Sequence, residues 1–121
     1  MGMENGVANK SKAFAIQIIG LFKQLVEKEK EFVLSKQMLR SGTAIGALIR
    51  EAEHGQSKAD FLNKMNVALK EANETTYWLE LLHETDYISE LEFNDVNSKC
   101  LEILKILITI VKTTKASLNR N

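Results

Sequence analysis

Two Glu-x-x-His pairs are the residues of this chain whose spacing best suits chemistry: Glu51 with His54, and Glu80 with His83. Di-metal centres in helix bundles use this spacing on two helices, together with one glutamate from each of two others. Here, however, the pairs lie at the carboxyl ends of two consecutive predicted helices. In antiparallel neighbours those ends are opposite, roughly 40 Å apart for helices of this length. We therefore expect no metal or other cofactor, and both histidines at the surface or at helix ends.

The single cysteine, Cys100, offers no better chemistry. It falls on the apolar stripe of the last predicted helix, which indicates a small buried side chain. A nucleophilic cysteine needs a neighbouring base and an accessible, electropositive setting. No paired-carboxylate, zinc or nucleotide-binding motif occurs elsewhere, so we expect neither an enzyme nor a small-molecule substrate.

Four helices are the elements that must position any site. The chain has 121 residues and no proline, which favours one all-α domain. Ser57 and Ser89 open capping-box patterns, and Gly55 is a natural stop. The predicted helices cover about residues 8–28, 34–54, 57–84 and 89–118, in one domain over 8–119. Residues 1–7 are expected to be a disordered N-terminus or a cloning remnant.

Apolar residues recur every three or four positions in each helix, as expected for core-facing stripes. Short connections favour an antiparallel, up-down-up-down four-helix bundle. Helix 2 also carries Gly42 and Gly46 beside Ile45, although each glycine costs a helix roughly 1 kcal/mol against alanine. We interpret both glycines as positions of close helix packing.

Two helices carry more apolar surface than one bundle can cover. The apolar arc of helix 4 spans roughly 200°, whereas a helix that faces only its own bundle needs about 100°. Exposed apolar patches usually mark partner surfaces, so we expect a homo-oligomer. The candidate interface residues are Val67, Trp78, Leu81, Leu104, Ile106, Ile108 and Val111.

Charge is unevenly distributed, although the formal net charge is zero. Residues 1–50 carry +4, residues 51–95 carry −8 and residues 96–121 carry +4. Cations on the outer sides of helices 1 and 4 could form one patch for RNA or DNA, since phosphate contacts are mostly electrostatic. No aromatic residue lies between these cations, so we do not expect base stacking. The alternative to a binding patch is that the charged residues simply solvate the outer faces of the helices. These candidate nucleic-acid-binding residues are Lys12, Lys23, Lys105, Lys112, Lys115 and Arg120.

Residues 35–82 resemble the four-helix-bundle proteins encoded in 23S rRNA intervening sequences of bacteria. The family's Asn-Ile-Ala-Glu-Gly segment is replaced here by the residues from Leu48 to Gly55, so a function of that asparagine is not carried over. The matching residues are Gln37, Leu39, Arg40, Ser41, Ala44, Ile45, Gly55, Phe61, Ala68, Leu69, Glu74, Trp78, Leu79 and Leu82. The resemblance implies a ring, typically a homopentamer. The chain is also similar to the accessory variability protein of diversity-generating retroelements, whose ring binds nucleic acid and reverse transcriptase.

Two functional hypotheses follow. The first is a non-enzymatic, ring-forming protein that binds nucleic acid through helices 1 and 4. The alternative is a protein–protein adaptor without nucleic-acid binding, whose exposed apolar residues and acidic helix 3 dock another protein. No signal-peptide pattern or membrane-spanning stretch is visible, so a cytoplasmic protein is expected.

Overall fold

The computed structural model describes residues 2–119, with side chains from Gly6 onward. The described residues form four helices and no strand. The helices are α1 (Gly2–Glu27), α2 (Leu34–Glu53), α3 (Lys58–Glu84) and α4 (Glu90–Asn119). The all-α, four-helix prediction is confirmed, and every helix end except the start of α1 lies within one residue of its predicted position.

The start of α1 corrects the prediction that residues 1–7 precede the domain. Gly6 and Val7 already belong to the helix, and the side chain of Val7 is fully buried. Val7 lies seven residues before Phe14, on the same side of the helix, so it extends the core-facing stripe by two turns.

The core lies along the stripes that the periodicity predicts. α2 packs against α1 and α3, α3 packs against α4, and α1 makes a smaller contact with α4. The largest fully buried side chains are Phe14, Ile18, Leu25, Met38, Ile45, Ile49, Met65, Leu79, Leu82, Ile103 and Leu107.

Gly42 and Gly46 lie where α2 approaches α1 closely. A Cβ atom added at Gly42 would lie 3.0 Å from Cγ1 and from Cγ2 of Ile18. At Gly46 it would lie 3.3 Å from Oγ of Ser11. The absence of side chains therefore allows the two helices to pack closely along this contact.

Two predicted caps fix the starts of α3 and α4. The Ser57 hydroxyl accepts a hydrogen bond from the Asp60 amide at 3.0 Å, and the Ser89 hydroxyl accepts one from the Glu92 amide at 3.1 Å. The Ser89 amide also donates to Glu92 Oε1 at 3.4 Å, which completes a capping box.

A cap that the sequence patterns did not predict fixes the start of α2. The nearly buried Glu31 carboxylate accepts hydrogen bonds from the amides of Val33, Leu34 and Ser35 at 3.1, 2.8 and 2.6 Å. Burial alone would raise the pKa of Glu31, but these amide hydrogen bonds outweigh it and lower that pKa. The carboxylate thus replaces the missing intrahelical partners of the first α2 amides.

Candidate functional site

The lysines predicted to bind nucleic acid lie on the bundle surface. Lys12, Lys23, Lys105, Lys112 and Lys115 are all exposed, and none of them forms an ion pair with another described residue. Arg120, the sixth candidate, lies outside the described residues. The five lysines therefore keep their full charge available to an external anion.

Carboxylates occupy the seam between α1 and α4. Lys10 Nζ lies 3.0 Å from Glu102 Oε2, and Gln17 Nε2 donates to Asp95 at 2.8 Å. Asp95 also pairs with Lys99 on its own helix at 3.3 Å. These side chains place acidic groups between the lysines of α1 and those of α4, where the sequence suggested that the lysines join into one patch.

Grooves on other sides of the bundle separate the candidate lysines further. Lys12 lines a groove of 690 Å³ between α1 and α2, together with Arg50 and the acidic residues Glu51 and Glu53. Lys115 lines a smaller groove of 230 Å³ between α3 and α4. The exposed lysines thus lie in two separate groups, one on α1 and one on α4.

The residues predicted to form the oligomer interface are distributed over several parts of the surface. Val67, Trp78 and Leu81 on α3 are half-buried, as are Leu104 and Ile106 on α4. Ile108 is 38% exposed. The structure corrects the prediction that Val111 adds to the exposed apolar surface. Its side chain is only 7% exposed, because it packs within the core and lines the groove between α3 and α4.

Other exposed apolar residues were not singled out from the sequence. Ile16 and Ile19 on α1 are 63% and 39% exposed, and Tyr77 on α3 is 52% exposed. Leu101 on α4 is exposed as well. The signal was present for the two isoleucines, since both fall away from the Phe14–Ile18 stripe in the run AIQIIG.

An ion-pair network joins α2 to α3 next to Trp78. Arg40 donates to both oxygens of Glu71 at 3.1 and 3.2 Å and to Glu74 at 2.7 Å. The Trp78 indole N–H donates to the same Glu74 oxygen at 3.0 Å. The pKa of Glu74 is lowered, chiefly by the Trp78 hydrogen bond and then by the hydrogen bond from Arg40.

Cys100 and the two histidines lie in different surroundings. Burial raises the pKa of Cys100 to about 12, and its thiol donates to the Ala72 carbonyl at 3.4 Å. His83 stacks on Phe93 with ring centroids 4.4 Å apart, whereas His54 is exposed beside the α1–α2 groove. Among the side chains of residues 6–119, no group of three or more histidine, cysteine or carboxylate side chains could hold a metal ion.

None of the described helices is both long and apolar enough to cross a membrane.

The chain is similar to known proteins over most of its length. A family model described as 23S rRNA-intervening sequence protein matches residues 3–109. A crystal structure of a protein with unknown function from the S23 ribosomal protein family of Bacteroides thetaiotaomicron VPI-5482 is 58% identical, with a TM-score of 0.90. The similarity covers 91% of this chain and 98% of that one. No curated protein matches the chain.

Proposed function

We propose that this chain, which belongs to the 23S rRNA-intervening sequence protein family, is a non-enzymatic, homo-oligomeric bundle that binds RNA or DNA. The single observation that carries the binding proposal is the group of exposed, unpaired lysines on α1 and α4. Lys105, Lys112 and Lys115 project from α4 without a carboxylate partner among the described residues. Such cations attract phosphates and release their counterions.

The proposed assembly is a ring of antiparallel, up-down-up-down bundles, and we propose a pentamer like that implied by the family resemblance. The order of the contacts supports the antiparallel arrangement, since Lys10, Gln17 and Gln24 of α1 meet residues of steadily decreasing number on α4. Exposed apolar residues on α1, α3 and α4 support self-association. A relation to the accessory variability protein of retroelements would fit both the ring and the affinity for nucleic acid.

Fluorescence anisotropy with labelled RNA and DNA tests the binding proposal. We expect binding near physiological ionic strength that weakens as salt rises. Replacing Lys105, Lys112 and Lys115 with glutamine should weaken binding and flatten the slope of log K against log salt by about 1 for each lysine–phosphate pair removed. Lys99→Gln is the matched control, because Lys99 is already paired with Asp95. Absence of salt-dependent binding by the unmodified protein would overturn the proposal.

A protein–protein adaptor is the second candidate function. It is favoured by apolar side chains near the α1–α2 connection and at the start of α4, where Val33 and Leu91 are more than two-thirds exposed and Phe32 is about half exposed. A pull-down from native lysate tests it: a stoichiometric partner that no longer binds Val33→Asp supports the adaptor, whereas no stoichiometric partner argues against it.

A further inference from the structure

Charge is segregated between the first two helices and the third. Residues 6–26 of α1 and residues 34–50 of α2 together carry six lysines and arginines and no carboxylate. Residues 71–84 of α3 carry four glutamates and no lysine or arginine. These parts of α1 and α2 are therefore basic, and the second half of α3 is acidic.

The basic part of α1 carries a stripe whose charges are not neutralised. Lys12, Ile16, Ile19 and Lys23 follow one another at intervals of four, three and four residues, so they share one helix face. All four are exposed, and neither lysine has an ionic partner among the described residues. This basic stripe has two apolar side chains at its centre and a cation at each end, over about 16 Å of helix.

α3 carries a stripe of the same design with the opposite charge. Glu74, Tyr77, Leu81 and Glu84 follow one another at intervals of three, four and three residues and also share one helix face. Tyr77 and Glu84 are exposed, while Glu74 and Leu81 are half-buried. This acidic stripe has two apolar side chains at its centre and a carboxylate at each end, over about 15 Å of helix. Oε2 of Glu74 is already bound by Arg40 and Trp78 of the same chain, so the oxygen left for a second copy is Oε1.

We infer that the basic stripe of one copy binds the acidic stripe of a second copy. The two stripes match in length, in their apolar centres and in the sign of their ends, so pairing buries apolar surface while the ends form ion pairs. Within one chain the stripes cannot meet, because α1 and α3 make no contact over the described residues. Each copy offers one stripe of each kind, so the interface is heterologous and generates a ring or an open chain of copies.

This inference rests on the homo-oligomer proposed above and assigns the surfaces that form it. It also narrows the nucleic-acid surface proposed above: Lys12 and Lys23 of α1 face another copy, and only the α4 lysines remain available to nucleic acid. The exposed stripe residues can be changed without altering the core, so their substitution is expected to preserve the fold.

Light scattering on matched variants tests the pairing. Lys12→Glu/Lys23→Glu makes the basic stripe repel its partner, and Tyr77→Lys/Glu84→Lys does the same for the acidic stripe. Each variant should show a lower molar mass than the unmodified protein. Lys105→Glu/Lys112→Glu makes the same charge change on α4 and should leave the mass unchanged.

Mixing the two stripe variants in equal amounts gives the decisive result. Each variant retains the stripe that is altered in the other, so the mixture should form species larger than either variant alone. Circular dichroism of each variant checks that the helices are intact. If the unmodified protein is a single chain, the proposed oligomer and this inference both fail. If it is an oligomer whose mass neither stripe variant reduces, or if the mixture does not associate, the inference alone is overturned.

Discussion

Arg40 on α2 and Glu74 on α3 form an ion pair of 2.7 Å, and the oxygen of Glu74 that binds the guanidinium also accepts the indole N–H of Trp78. One half-buried carboxylate therefore connects a surface cation to the only tryptophan of the chain. We expect this connection to make tryptophan fluorescence sensitive to the protonation state of Glu74.

Acidification should change the fluorescence of Trp78 as Glu74 becomes protonated. The folded-state pKa of Glu74 is lowered from its ordinary 4.5, so its interactions are present above that value and are lost as the pH falls through the lowered pKa. A fluorescence titration between pH 7 and pH 2 measures the transition, and Glu74→Gln should remove it. A transition of the same midpoint in Glu74→Gln would contradict the assignment.

The same network makes only a small contribution to stability. Because Arg40 is half exposed, we expect Arg40→Ala to lower the free energy of unfolding by no more than about 1 kcal/mol.

Glu31→Gln should lower the free energy of unfolding by about 1–2 kcal/mol at neutral pH, because it weakens the cap of α2. Urea unfolding measures the loss. Glu29→Gln is the matched control, since Glu29 is exposed and has no hydrogen bond or ion pair with the described residues.

The same cap predicts an acid-sensitive stability. The pKa of Glu31 is lowered in the folded state, so its contribution is present above the ordinary value and is lost as the pH falls through the lowered one. Unfolding measured at pH 7 and at pH 3 should therefore show a smaller acid-induced loss for Glu31→Gln than for the unmodified protein. Equal losses in both proteins would show that another group is responsible.

Cys100 should react with a thiol reagent only when the bundle opens. The thiol is buried and its pKa is raised to about 12, so the reactive thiolate is scarce at pH 8. Labelling with a chromogenic disulfide should be slow in buffer and should accelerate through the urea unfolding transition. Fast labelling of the folded protein would contradict this burial.

The sequence predicts the helices well because apolar period and capping residues are local signals. Ser57 and Ser89 mark two helix starts correctly through contacts within a few residues of themselves. The sequence does not indicate the cap at Glu31, because its carboxylate lies within the charged run EKEKE, which is typical of a solvated connection. Contacts between helices, unlike helix caps, leave no local signal in the sequence of one helix.

The candidate site was harder to predict because it depends on which helix faces which. The sequence suggests that the lysines on α1 and α4 meet, whereas in the structure the side chains that line the intervening seam include Glu102 and Asp95. The apolar arc of α4 predicts Val111 as surplus apolar surface, whereas the packing of α4 against α3 covers it. Both outcomes depend on the rotation of each helix about its axis, which a period alone does not determine.

Two glycine substitutions should shift stability in opposite directions. Gly20 lies exposed within α1, and a Cβ atom added there meets no other atom within 4 Å, so Gly20→Ala should stabilise the protein by up to about 1 kcal/mol through helix propensity alone. At Gly42 the same gain is opposed by contacts of 3.0 Å with two Ile18 carbons. Because Ile18 is fully buried and has little space to move, we expect Gly42→Ala to lower the free energy of unfolding by about 1–2 kcal/mol.

Urea unfolding of both variants measures the difference, and the double variant Gly42→Ala/Ile18→Val should recover part of the loss if crowding is its cause. Equal stabilisation by both alanines would show that α1 and α2 are not in close contact at Gly42.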